Sequence, residues 1–172
     1  RWEKAGKLIK LKRGFYVLAE RYRKTAVSEF YITSVLMQPS YVSLEKALEY
    51  HHLIPEAVYV YTSVTTKRQG EFISKAGRFR YWHIQTPLFW GYESLKIGGQ
   101  TAFVASAEKA LLDLVYIKHI HVSQDYLDEL RLQNVENINI KRLWDYARRF
   151  NKPRILKAAQ AFQKYIEGYQ RG

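Results

Sequence analysis

The stretch Thr101–Ile117, TAFVASAEKALLDLVYI, limits the architecture more than any other part of the chain, because it runs from strand patterning through a helix cap into a mostly apolar helix. Thr101, Phe103 and Ala105 alternate with Ala102 and Val104 at the two-residue period of a strand, and Gly98-Gly99 ahead of them supplies a turn. Ser106 fits the N-cap, its hydroxyl placed to accept from first-turn amides, and Glu108 sets a carboxylate near the positive end of the helix dipole. Ala107, Ala110, Leu111 and Leu114 follow the i, i+3, i+4, i+7 stripe, while Leu112, Val115 and Tyr116 carry apolar surface onto a second face. A helix apolar on two sides is packed on two sides, so this segment is expected at the centre of the core.

The remaining segments can be ordered around it. Residues 1–6 read as the tail of a helix closed by Gly6, Lys7–Lys12 nearly alternates charged with apolar side chains as a strand does, and Arg13-Gly14 turns the chain into Phe15–Leu18. A two-stranded hairpin is unstable alone, so it implies more protein before Arg1 or a firm dock on the rest of the chain. A charged connector, Glu20–Lys24, leads to a helix expected over Ala26–Met37 and ended by Pro39, then to a second helix from about Ser43 that Pro55 stops. Strands are expected at Ala57–Ser63, at Arg78–Gln85, and at Phe89–Ile97 paired with Thr101–Ala105 across Gly98-Gly99. Beyond His119 only helical patterning remains, with Ser123 and Asn139 as caps and Pro153 in the first turn of a last helix. The expected class is α+β: a hairpin unit over 1–22, then residues 23–172 as a mixed or antiparallel sheet packed with helices and finished by an all-helical layer.

The absence of cysteine removes disulfides, thiolate catalysis and Cys-based zinc sites together, and fits a reducing compartment. No run of 18 or more apolar residues suggests a membrane span, and no charged stretch followed by an apolar signal core opens the chain. A cytoplasmic protein without membrane partners is therefore expected.

The net charge of +12 is unevenly placed. Residues 1–30 carry nine Lys/Arg against three Glu, residues 141–172 carry nine against Asp145 and Glu167, and the middle is close to neutral. Clustered cations gain affinity for phosphates by displacing condensed counterions, although such clusters also serve as solvated surface. Two candidate clusters stand out. One comprises Arg1, Lys4, Lys7, Lys10, Lys12 and Arg13, on a helix end and hairpin; the other comprises Lys141, Arg142, Arg148, Arg149, Lys152 and Arg154, around a junction of two helices. Arg148 and Arg149 near a helix C-terminus would equally satisfy its dipole.

Catalytic patterns are sparse. The five histidines, His51, His52, His83, His119 and His121, show no HExxH or other helical metal spacing, and there is no GxSxG, P-loop or GxGxxG. Glu108 and Asp113 stand five apart, off a common helix face, which does not favour a carboxylate pair for acid/base work. No metal or cofactor is expected, catalysis is disfavoured, and the alternative for the two carboxylates is that one caps or braces a neighbouring loop.

Taken in order, WEKAGKLIKLKRGFYVL, SLEKALEYHHLIP, VYVYTS, RFRYWHI and ASAEKALLDLVY resemble the AbiEi family, antitoxins and transcriptional regulators of the AbiE toxin-antitoxin systems. The likeness covers residues 2–117 by motif and the remainder by helical character, and it rests on the order and spacing of short motifs. It implies an N-terminal winged helix that binds double-stranded operator DNA and a C-terminal domain that opposes a nucleotidyltransferase-like toxin. Lys10, Lys12 and Arg13 would then be wing residues, and Arg1 and Lys4 would end the recognition helix. A complete winged helix needs helices before Arg1, so the hairpin is expected to be the last part of one. The expected function is a DNA-binding repressor and antitoxin without enzymatic activity. Two other readings are a metal-dependent nuclease, in which Glu108, Asp113 and a histidine would converge, and a non-catalytic interaction module using exposed Tyr and Trp.

Overall fold

The computed structural model describes residues 1–172, and the chain opens with a single hydrogen-bonded turn at the place of the expected helix end. The Lys7 amide donates to the Trp2 carbonyl at 2.9 Å, the Gly6 amide donates to the Glu3 carbonyl at 3.0 Å, and Gly6 has φ +74°. This is the bonding of a glycine-closed helix terminus, with only one turn ahead of it. Strands β1 (Leu8–Lys12) and β2 (Phe15–Leu18) come next as an antiparallel hairpin turned at Arg13-Gly14, with Gly14 at φ +82°. A short 3-10 turn at Glu20–Tyr22 leads out of it.

Helix α1 (Glu29–Leu36) is shorter than expected, because the Ser28 hydroxyl accepts from the Phe30 amide and caps it there. Next come β3 (Ser40–Val42), α2 (Leu44–Tyr50), β4 (Val60–Thr65), β5 (Gly70–Ser74) and β6 (Gly77–His83). Strands β3 and β5 lie outside the strands expected from patterning. After a 3-10 turn at Thr86–Leu88, the hairpin β7 (Tyr92–Ile97) and β8 (Gln100–Ala105) runs into α3 (Ala107–Ile117). The chain then continues through α4 (Gln124–Leu130), α5 (Ile140–Phe150) and α6 (Pro153–Arg171), with no strand after Ala105.

Six strands form one mixed sheet in the order β5-β6-β4-β3-β8-β7, so the class is α+β. The pairs β5/β6, β3/β4 and β7/β8 are antiparallel, whereas β4/β6 and β3/β8 are parallel. Strand β3 holds the two halves together, although it is only three residues long.

Each face of the sheet has its own core. On one face α3 is buried from Ala107 to Val115 and packs against α2, α5, α6 and β8, as its two apolar sides require. On the other face α1 covers the sheet, burying Ile32 and Leu36 against Phe79 and Tyr81 of β6. Leu11 and Phe15 of the hairpin pack on this second cluster, so β1 and β2 are seated on the sheet beside β5. No helix is long and apolar enough to cross a membrane.

Candidate nucleic-acid interface

Opposed residues of an antiparallel pair share a face, so the pairing Leu8 to Leu18 and Lys10 to Tyr16 puts these four on one side of the hairpin. That side points outward: Lys10, Tyr16 and Leu18 are exposed. Arg1, Lys4 and Lys7 are exposed on and just after the opening turn, and Arg13 is exposed at the hairpin tip. Lys7 lies 5.9 Å from the Trp2 ring centre, and Trp2 is itself 55% exposed. None of these five cations forms an ion pair with a carboxylate.

Lys12 is the departure from the expected wing. The register shifts between Lys10 and Lys12, pairing Lys12 with Phe15 and turning it toward the sheet. Its ammonium donates to the Leu36 carbonyl at the C-terminal end of α1, and it lies 4.5 Å from the ring centre of Phe15 and 5.3 Å from that of Phe72. The helix end and two aromatic faces satisfy this charge inside the protein.

The C-terminal cluster is divided rather than gathered. Lys141 and Arg148 both turn to Asp145, at 2.9 and 3.4 Å, and Arg142 reaches Glu108 at 3.4 Å. The Arg149 guanidinium lies 4.1 Å from the Trp90 ring centre. Arg154 donates to the Val115 and Tyr116 carbonyls at 2.8 and 3.3 Å, closing the C-terminal end of α3, and Lys152 stands 5.8 Å from the Tyr116 ring centre. Lys152 and Arg154 line a common hollow.

Glu108 and Asp113 are both buried and serve separate networks. Glu108 accepts from the Asn139 amide at 3.1 Å, tying α3 to the start of α5, whose cap is the Asn139 side chain. Asp113 accepts from Lys109 at 2.7 Å and from the Tyr41 and Ser43 hydroxyls at 2.8 Å each. Lys109 also donates to the Tyr41 oxygen and the Leu88 carbonyl, so all three of its protons are used. Burial pushes the Tyr41 phenol well above its ordinary value, with the Asp113 charge adding to the effect. Burial lowers the Lys109 ammonium, and Asp113 opposes that shift. Both charged side chains are fully enclosed, which makes the cluster a bracket between β3, α3 and the segment before β7. The sequence contains a signal for it in the four-residue spacing of Lys109 and Asp113 inside an apolar run.

His83 and His119 line one surface cleft and His121 an adjoining one, whereas His51 and His52 lie elsewhere. His51 Nε2 is 2.7 Å from the Ala105 carbonyl oxygen and His83 Nδ1 is 3.0 Å from that of Lys67, while His52 is exposed. No group of three or more His, Asp or Glu side chains is arranged to hold a metal. Exposed aromatic rings are spread over the surface, with Trp2, Tyr16 and Tyr22 in the N-terminal segment and Tyr31, Tyr59, Tyr92, Phe103 and Tyr169 elsewhere. Neither a protein-family model nor a curated protein matches the chain.

Proposed function

We propose that the protein is a DNA-binding transcriptional repressor and antitoxin, acting in the cytoplasm against a nucleotidyltransferase-like toxin and without catalysis of its own. One observation carries the DNA-binding reading: Arg1, Lys4, Lys7, Lys10 and Arg13 are exposed, lack carboxylate partners and sit on one turn and one hairpin. A hairpin wing laid along a duplex uses such cations to contact phosphates, which set position rather than sequence. The antitoxin role rests on the family resemblance of the ordered motifs. Lys12 drops out of the contact set, since its ammonium is bonded to α1. For the nuclease alternative, Glu108 and Asp113 would have to be freed from separate buried networks.

Gel-shift titration against duplex DNA from the protein's own promoter tests the reading. Lys10→Glu with Arg13→Glu is expected to weaken binding and to lower the slope of log K against log salt by roughly 0.9 for each phosphate no longer neutralised. Lys12→Met is expected to leave that slope unchanged. Equal affinity and slope in the double variant would refute the hairpin as a DNA contact.

A further inference from the structure

Where β6, α3 and α6 meet, the surface opens into a cleft of about 470 Å³ whose walls include His83, His119, Lys152, Arg154, Trp82 and Tyr116. A neighbouring hollow of about 460 Å³ shares His119 and Arg154 and adds His121 and Lys157. Neither is lined by a carboxylate. Unlike Lys141, Arg142 and Arg148, none of these cations is paired with a carboxylate. Lys152 makes no side-chain hydrogen bond and faces only the Tyr116 ring. Arg154 gives its bonds to the Val115 and Tyr116 carbonyls at the C-terminal end of α3, which orient the guanidinium and leave it without a carboxylate partner. His83 is held through Nδ1 by the Lys67 carbonyl, leaving Nε2 unengaged. The nearby acids are already taken, Glu71 by Arg78 and Arg80 and Glu45 by Lys118. The 19-residue helix α6 starts at Pro153 beside the cleft and α3 ends at Ile117 in its wall, so the positive end of one dipole and the negative end of the other both lie there, and Arg154 bonds the latter.

We infer that this cleft binds a phosphate monoester of nucleotide size. A guanidinium, an ammonium and two imidazoles around one concavity, with no carboxylate among them, suit a compact dianion better than a singly charged carboxylate. The volume matches that of small-ligand sites, and the Trp82 and Tyr116 rings supply apolar wall for the part of the ligand that carries no charge. The same chemistry is offered by a free mononucleotide and by the 5′-phosphorylated end of a single strand. The site lies apart from the hairpin and does not depend on the DNA-binding reading.

The test is a chemical-shift titration of isotope-labelled protein with inorganic phosphate, with AMP and with a short 5′-phosphorylated oligonucleotide. Saturable shifts at the Trp82 indole N–H, His119 and Arg154 are expected, with affinity reduced about tenfold by Lys152→Glu or by His119→Asn. Lys141→Glu and the hairpin variant Lys10→Glu, Arg13→Glu are expected to bind as the unaltered protein does. A response to phosphate or AMP identifies a small phosphorylated molecule as the ligand, and a response to the oligonucleotide alone identifies a strand end. Thermal unfolding of each variant separates impaired binding from impaired folding. No saturable shift with any of the three probes, or equal weakening by Lys141→Glu, would overturn the assignment.

Discussion

Lys109 and Asp113 are two charges without access to water, and each is tolerable only because the other is there. Taking such a pair out of solvent costs several kcal/mol per ion, and the return comes from close geometry and from filling every remaining bonding position. Tyr41, Ser43 and the Leu88 carbonyl fill those positions. Asp113→Ala is therefore expected to lower stability by about 3–5 kcal/mol, measured as a fall in the urea midpoint at constant m-value. Lys109→Met combined with Asp113→Leu is expected to recover only part of that deficit, because no charge is orphaned but the Tyr41 and Ser43 hydroxyls and the Leu88 carbonyl lose their partners. Gly91 belongs to the same arrangement. It has φ +80°, and a β-carbon there would come within 2.8 Å of Lys109 Cγ, so the lysine stem fits only against a residue without a side chain. At this scale the sequence was partly legible. The carboxylate spacing of Glu108 and Asp113 excludes a shared face, but the partners that occupy each carboxylate come from β3 and from the α4–α5 connection, far along the chain.

Elements with local causes were readable, and those with tertiary causes were not. Ser106, Ser123 and Asn139 each accept from a backbone amide in the first turn of α3, α4 and α5, so a side chain that caps can be found in sequence. Asn139→Ala is expected to cost about 1 kcal/mol in a denaturant titration, with Asn139→Asp nearly neutral. Ser43 shows the limit of the rule: it stands at the N-cap of α2, yet its hydroxyl bonds to Asp113 instead. Strand β3 has three residues, all buried, and so no alternation to detect; it exists because β4 and β8 pair with it on either side. Strand β5 begins at a glycine and leaves Ile73 largely exposed, so its pattern resembles a loop until β6 pairs with it. The inward turn of Lys12 comes from the register shift and the position of α1, neither of which is visible in the alternation of Lys7–Lys12.

The molecule as a whole has a core on each face of one sheet, and phenols are built into both. Tyr41 lies in the larger core and Tyr81 in the smaller, and burial raises the pKa of each. Tyr126 is raised by burial and by Glu45, and Tyr61 is pushed up to about 12, chiefly by burial. A group raised in the folded state contributes stability that is complete below its unfolded value and disappears as pH rises through the folded one. Stability is thus expected to hold up to the ordinary phenol value of 10.0 and to fall beyond it, with the Tyr61 share gone by about pH 12. Chemical denaturation at stepped alkaline pH, alongside ultraviolet titration of phenolate, checks this; ionisation of all 14 Tyr near the ordinary value without loss of fold would contradict it.

Lys12 is the bolt of this assembly. Its ammonium is bonded to the end of α1, and Leu11 and Phe15 pack on the same cluster, so the hairpin is tied to the sheet by a polar and an apolar contact. Any duplex lying against Lys10 and Arg13 would rest on a hairpin that leans on the six-stranded sheet and is fastened to α1.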